Sequence, residues 1–532
     1  MLLTEKAVNI FKILLLISIP VSMSCSDSGT QSTGSTGGDS FIPAYDVLIA
    51  DTESYLEYVG SHDLFSSLSC DPTTNNTCSP MFTGVEFSRT ALYDDILYVG
   101  AGNYSETIRY EDSNGVLVDK SIQVSSVFTY RVNPNNSNTT LSAIGSIQHS
   151  DICDIADDEN LCLSYFDYES KTNLHGKLSY PAVFGNRVAI GSSIAYNPAL
   201  YPSGHTDLKT GDGAVYIFEK DPNGAVWTVT QRLSPEVSCE GLADAKKQAC
   251  IESFRSSKFS RASIIENMVA VGAYEAFNPE VLDSSNNPVE TGLIVVFELD
   301  VNGLYKYHST LNPIEICEQF TDETEKTDCI TNLKDIRFGN PALSADGRMM
   351  NVGVAGAMSP ILEVETGLNY EFRYNTSSRK WEYFQTIDPA ASCSPRGLND
   401  ADCKKELEES KFSYTVMNET RMLVGARDAK INVNGTYISS GLVYVYQRIE
   451  EGGWKFVKIL SPASRCEKLP TVSEQNDCMN DLAGIKFQVP SISKDDNVFI
   501  GAPNDIHKYQ SGSGTTNKVT TGVIYHYNTN TN

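Results

Sequence analysis

The sequence predicts an all-β chain, a β-propeller of six four-stranded antiparallel blades, with seven as the alternative count. Three observations carry that prediction: a phrase that recurs six times, a cysteine pair beside each copy, and chain ends that complete one another. The phrase reads FSRASIIENMVAVGA at 259–273, FSRTALYDDILYVGA from Phe87 and LSYPAVFGNRVAIGS from Leu178. It returns as FGNPALSADGRMMNVGV from Phe338, FSYTVMNETRMLVGA from Phe412 and FQVPSISKDDNVFIGAP from Phe487. Each copy is an aromatic or Leu, a strand of small residues, a short polar turn, and an apolar strand ending in Gly. The copies at Phe259, Phe338, Phe412 and Phe487 lie 79, 74 and 75 residues apart, which suits a four-stranded sheet with elaborated loops. Self-similarity at such a period marks a repeat architecture.

At the N-terminus, Lys6 and Lys12 precede an apolar run at 13–21, too short to span a bilayer. It leads into Ser22-Met23-Ser24-Cys25, which resembles the lipobox of bacterial lipoproteins and implies lipidation of Cys25, although Ser22 stands where Leu is usual. Residues 1–24 are therefore expected to be a signal peptide, and 25–40, rich in Ser, Gly and Thr, a lipidated flexible tether. Residues 41–532 are then one propeller domain. The location expected is the outer membrane or cell surface of a bacterium, or a secreted or periplasmic one if Cys25 is not lipidated.

Each repeat carries four strand signals, A to D. A follows the aromatic and B ends in Gly. C alternates apolar and aromatic residues after a Gly, as in Gly213-AVYIF, Gly292-LIVVF, Gly367-LNYEF, Gly441-LVYVY and Gly522-VIYHY. D holds Trp227, Trp381 and Trp454, with Tyr305 equivalent, and a Pro ends it at 235, 389, 462 and 313. No helix-length periodic segment is visible. The last repeat stops after strand C, while a D-like stretch, Tyr55-LEYVGS, precedes the first strand A. The N-terminal strand is thus expected to complete the last blade. Asp46-VLIAD, a further C-like stretch, is what keeps seven blades open.

With Cys25 set aside, twelve cysteines remain, one pair per repeat. They are Cys70 with Cys78, Cys153 with Cys162, Cys239 with Cys250, Cys317 with Cys329, Cys393 with Cys403, and Cys466 with Cys478. In five repeats the second Cys stands nine residues before the aromatic. This phasing predicts one local disulfide per repeat and an oxidising compartment. Without CxxC spacing or phased His, zinc is not expected. The formal net charge of −26 repels nucleic-acid phosphate, so no nucleic-acid partner is expected.

Phe338-Gly339, Gly501-Ala502-Pro503 and the C strands resemble FG-GAP repeats, the blades of the integrin α-subunit head and of related bacterial surface proteins. The resemblance covers about residues 45–530. It implies the propeller fold and an adhesive or binding role. Family blades often hold calcium between A and B, but the turns here lack alternating oxygen ligands, so neither metal nor cofactor is expected. The seven His share no phase, and no nucleophile elbow or phosphate loop occurs. No catalytic residue is assigned, and the chain is read as a binding module rather than an enzyme.

Two residues after the aromatic stand Arg89, Tyr180, Arg261, Asn340, Tyr414 and Val489. Strand A is innermost in the family's blades, so these positions are expected to line the channel, where an anion or sugar could bind, or to pack between blades. B–C and D–A connections share one face of the disc, and both are long. That face carries Tyr104, Tyr110, Tyr196, Tyr201, Phe277, Tyr437 and Tyr509, expected as partner anchors. The function expected is adhesion to a protein or glycan through this disulfide-stiffened face, by a monomer that meets the membrane only through its lipid. The alternatives are a polysaccharide-active enzyme, lyase or glycosidase, using the channel, and a structural envelope component.

Overall fold

The computed structural model describes residues 56–62, 86–111, 114–133, 140–148, 150–155, 178–193, 195, 197, 200, 211–221, 226–449, 452–510, 516–520 and 522–529. Within them six four-stranded antiparallel sheets form the blades of a propeller, each in the order A-B-C-D from the axis outward. The strands A, in blade order, are Glu86–Tyr93, Leu178–Phe184, Phe259–Ile264, Phe338–Leu343, Phe412–Met417 and Val489–Ile492. In the sixth blade strand D is Leu56–His62, paired antiparallel with Val523–Thr529, so the N-terminal strand closes the ring as the sequence predicts. Across the same seam Thr90 Oγ1 donates to the carbonyls of Val489 (3.0 Å) and Phe499 (3.2 Å). The Asp46 stretch lies outside the described residues.

The core is divided among the interfaces between blades. Six buried clusters are present, and each spans two neighbouring blades; one joins Phe87, Val99 and Phe128 of the first to Phe499 and Ile524 of the last. The recurrent aromatic seats each cluster. Phe338 packs edge-on against Phe372 at 5.8 Å, and Phe412 against Tyr444 at 5.3 Å. The strand B glycine explains itself against the next blade. A Cβ on Gly272 would sit 1.9 Å from the Gly339 carbonyl oxygen, and one on Gly425 would sit 1.6 Å from that of Gln488. Only Gly lets the sheets approach this closely.

The D–A connections are not the plain loops the sequence reading expects. Four contain helices: α1 (Asp244–Ser253), α2 (Glu323–Thr331), α3 (Asp400–Leu407) and α4 (Val472–Asn480). Their apolar stripes are too thin to show as a period, because beside its cysteine each buries at most a few residues, Ile251 on α1 and Leu407 on α3 among them. Capping residues do mark three starts: Asp322, Asn399 and Thr471 accept from backbone N–H groups of the first turn.

Four of the six expected disulfides are seen complete. Cys250 of α1 bonds to Cys239, Cys329 of α2 to Cys317, Cys403 of α3 to Cys393, and Cys478 of α4 to Cys466. Each ties its helix to the turn after strand D, with Cα–Cα separations of 5.4–5.8 Å. Cys153 is also disulfide-bonded. Its expected partner, Cys162, lies outside the described residues, as do Cys70 and Cys78 of the first pair and the expected lipid-bearing Cys25. The four complete bonds are local, one per repeat, and mark an extracytoplasmic protein.

Buried acid–Arg–Tyr sets fasten two of these connections to the blades. Arg396 pairs with Glu406 at 2.7 Å, and Tyr444 donates to the same carboxylate at 2.9 Å. Arg465 pairs with Asp505 at 2.7 Å, with Tyr525 donating at 2.6 Å.

Two outcomes test this packing. Gly272→Ala should lower the unfolding free energy by about 1–3 kcal/mol or more, read from the urea midpoint, because its neighbour is backbone and cannot turn aside. Replacing Cys317 and Cys329 together by Ser should cost about 2–4 kcal/mol on the same measurement.

Candidate functional site

In five blades the A–B ladder slips register immediately before the position two after the aromatic or Leu. The slips fall between Phe87 and Arg89, Leu178 and Tyr180, Phe259 and Arg261, Phe338 and Asn340, and Phe412 and Tyr414. Such a bulge re-aims the next side chain. The aromatic therefore enters the interblade core while the residue two further on enters the channel. Arg89, Tyr180, Arg261, Asn340, Tyr414 and Val489 line one cavity of about 90 Å³, one residue from each blade. They form a collar at the end of the channel where strand A begins, the same side as the B–C and D–A connections.

Beyond the collar the bore continues as a cavity of about 160 Å³. Its last layer comes from the position five after the aromatic: Leu92, Val183, Ile264, Leu343, Met417 and Ile492. Six aliphatic side chains thus ring the far end, which favours a polar ligand entering from the collar side.

The collar's chemistry is cationic and aromatic. The Arg89 guanidinium lies 3.2 Å from the centre of the Tyr180 ring. That of Arg261 lies 4.1 Å from Tyr274, 5.2 Å from Tyr414 and 5.9 Å from Tyr180. Arg261 also donates through Nη1 to Asn340 Oδ1. Among the described residues no carboxylate stands within ion-pair distance of Arg261. Two donor atoms here are buried with no hydrogen-bond partner: Arg261 Nε and Asn340 Nδ2. Burial alone would raise the Tyr414 phenol, but Arg261, Arg89 and Arg427 pull it below its ordinary value. Of the three guanidiniums Arg427 is paired with Asp428 at 3.1 Å, and Arg89 and Arg261 stand on tyrosine rings at the mouth of a chain whose formal net charge is −26.

Tyr274 and Arg427 belong to this site and sequence reasoning passed over them. Both directly follow strand B, after Ala273 and Ala426. The signal was their fixed place after the repeated Gly-Ala. Outward of them, Lys258 pairs with Glu275 at 2.6 Å, and Lys411 with Asp428 at 3.5 Å.

The expected partner anchors fare unevenly. Phe277 is 41 % exposed on a B–C hairpin, Phe277–Leu282 with Pro288–Glu290. Tyr437 stands half-buried on another, Lys430–Val433 with Thr436–Ser439, under the Lys405 ammonium at 5.5 Å. Tyr104 and Tyr509 are placed by backbone alone, on long B–C ribbons opposite Val124 and Asn517. Tyr110 is a correction: it is only 6 % exposed, because strand alternation turns it inward while Arg109 and Glu111 face solvent. Tyr196 and Tyr201 lie outside the described residues. No group of three or more His, Cys, Asp or Glu among the described residues could hold a metal ion.

No protein-family model matches the chain, and no curated protein matches it. Solved structures do align with it. A periplasmic gluconolactonase of Pseudomonas aeruginosa is 14 % identical, with 70 % of this chain and 85 % of that one covered, at a TM-score of 0.29. A protein from Lactobacillus plantarum is 9 % identical, with coverages of 83 % and 98 %, at a TM-score of 0.30. A protein of Bacteroides fragilis named as a candidate 6-phosphogluconolactonase is 8 % identical, with coverages of 69 % and 81 %, at 0.30. The expectation of a chain without catalytic activity is corrected here: solved structures that align with it carry enzyme names.

The collar's electrostatics predict a titration. A phenol held below its ordinary value adds stability that is present above the unfolded value of about 10 and is lost as pH falls through the folded value. Ultraviolet difference absorbance should show one tyrosinate forming below the ordinary phenol value of about 10, while the buried Tyr98 and Tyr274, whose phenols burial pushes up, form later. Tyr414→Phe should remove that step.

Proposed function

We propose that this chain is a lipid-anchored, extracytoplasmic binding propeller that holds a glycan or protein partner on the face carrying the B–C hairpins and D–A helices. The observation that carries the reading is where the elaboration lies. The described disulfides, the four helices and the B–C ribbons all belong to connections on one side of the disc. The ribbons also lift Leu117, Phe277, Leu282, Met358 and Ile361 into solvent, apolar tips of the kind partners cover. Helix α1 packs under the ribbon that starts at Phe277, and α3 under the one that starts at Lys430. The cross-linked connections thereby hold the contact surface in shape before a partner arrives, which lowers the ordering cost of association. The cationic collar lies at the centre of that surface. In this reading Cys25 carries the lipid, 1–24 is a signal peptide, 25–40 a tether and 41–532 the propeller. The FG-GAP resemblance agrees with an adhesive role.

A glycan and protein array probed with the purified full-length chain tests this. The expected result is capture of a partner that is lost after reduction and weakened by Phe277→Ser with Met358→Ser. Val301→Glu, in a C–D turn on the opposite side, should leave capture unchanged. Capture that survives reduction and the hairpin substitutions, or that depends on Val301, overturns the reading. Mass spectrometry of the bound partner reports any turnover in the same experiment.

A further inference from the structure

We infer that the collar is a subsite for the carboxylate of a uronic-acid residue, inserted end-on from the loop face. The inference rests on the binding reading above and names the ligand chemistry of its central point.

Charge is the first argument. Arg89 and Arg261 stack on the collar tyrosines, and Arg427 joins them at Tyr414 while paired with Asp428 at 3.1 Å. Arg261 takes its neighbours from tyrosine rings and an amide, not from an acid. A guanidinium taken out of water is ordinarily given an anionic partner.

The second argument is the pair of unused donors. Asn340 is 6 % exposed, lines the cavity, and leaves Nδ2 without an acceptor; Arg261 Nε is likewise buried and unpartnered. Buried polar atoms are rarely left so. Both atoms are N–H donors, on side chains already joined through Arg261 Nη1 and Asn340 Oδ1. A planar carboxylate accepts two such donors side by side.

Shape and surroundings complete it. A cavity of about 90 Å³ admits a carboxyl group and the atoms that bear it, not a polymer crossing the channel. The far end of the bore offers an anion only the apolar layer of Leu92, Val183, Ile264, Leu343, Met417 and Ile492. The hydroxyls of Thr90, Thr415, Ser263 and Ser491 along the bore are engaged within and between blades, while Tyr180 and Tyr414 on the collar supply phenolic partners for sugar hydroxyls. Those polar partners favour a sugar over a peptide as the bearer of the carboxylate.

The test is calorimetric titration of the purified full-length chain with oligogalacturonate, its methyl ester, a neutral galacto-oligosaccharide, acetate, phosphate, and a peptide with a free C-terminal carboxylate. The expected result is binding of oligogalacturonate, lost on methyl esterification and weakened by rising salt. R261Q should weaken it roughly 30-fold or more. N340A, which removes one unused donor, should weaken it about fivefold. Thermal midpoints of both variants separate lost binding from lost fold. Three results overturn the inference: the neutral sugar binds as well, acetate or phosphate binds as well so that the collar takes an adventitious ion only, or the peptide is preferred. Array capture that survives R261Q but not the hairpin substitutions overturns this inference alone and keeps the loop-face reading.

Discussion

The constraint this fold depends on is a close approach of backbone to backbone between blades. At the inner end of each blade interface where it is described, the strand B glycine lies against the main chain of the next strand A, with no room for a methyl group between them. That approach draws the strands A in around a narrow channel and leaves the recurrent aromatic as the piece that fills the wedge behind. A propeller's core is divided among its interfaces, so the same solution has to be repeated at each one. This is why the phrase returns along the chain so little changed.

The channel's chemistry follows from that geometry together with the bulge. Without the register slip, the residue two after the aromatic would share its side of the strand and enter the interblade core. With it, that position turns to the axis, and six blades deliver six independent choices to one spot. Two are Arg and two are Tyr. A cation stacked on an aromatic face is tolerated where no acid stands near, because the ring's negative face offsets part of its charge. Arg261 thus keeps its charge beside tyrosine rings, while the acids stand further out, Glu275 with Lys258 and Asp428 shared by Lys411 and Arg427.

Stability and exposure are divided between the two sides of the disc. The side with short A–B and C–D turns needs little beyond its ladders. The other carries long insertions, and ordering them costs chain entropy. Short disulfide loops, capped helices and the buried Glu406 and Asp505 sets offset that cost. The outcome is a large, stiff surface around a polar centre, a suitable platform for recognition and equally one on which chemistry could be performed.

The sequence by itself determined the ring: a propeller of six blades with seven still open, their strand order, closure by the N-terminal strand, and the local pairing of the cysteines from Cys239 to Cys478; the structure settled the count at six. These are set by short-range patterns repeated at long period, and repetition makes a weak local signal strong. It also placed Arg89, Tyr180, Arg261, Asn340 and Tyr414 at one phase of strand A. Helices α1 to α4 were less legible, since each buries at most a few residues beside its cross-linked cysteine, such as Ile251 on α1 and Leu407 on α3, and exposes most of its surface. The inward turn of Tyr110 could not be read, because alternation along a ribbon fixes two sides but not which one is covered. Only the tertiary structure decided that Tyr274 and Arg427, from a different strand, join the collar. Only it showed that Arg261 and Asn340 keep donors unused. The contact between Arg261 and Asn340 joins blades 79 residues apart in sequence, and a pattern within one repeat carries no record of it.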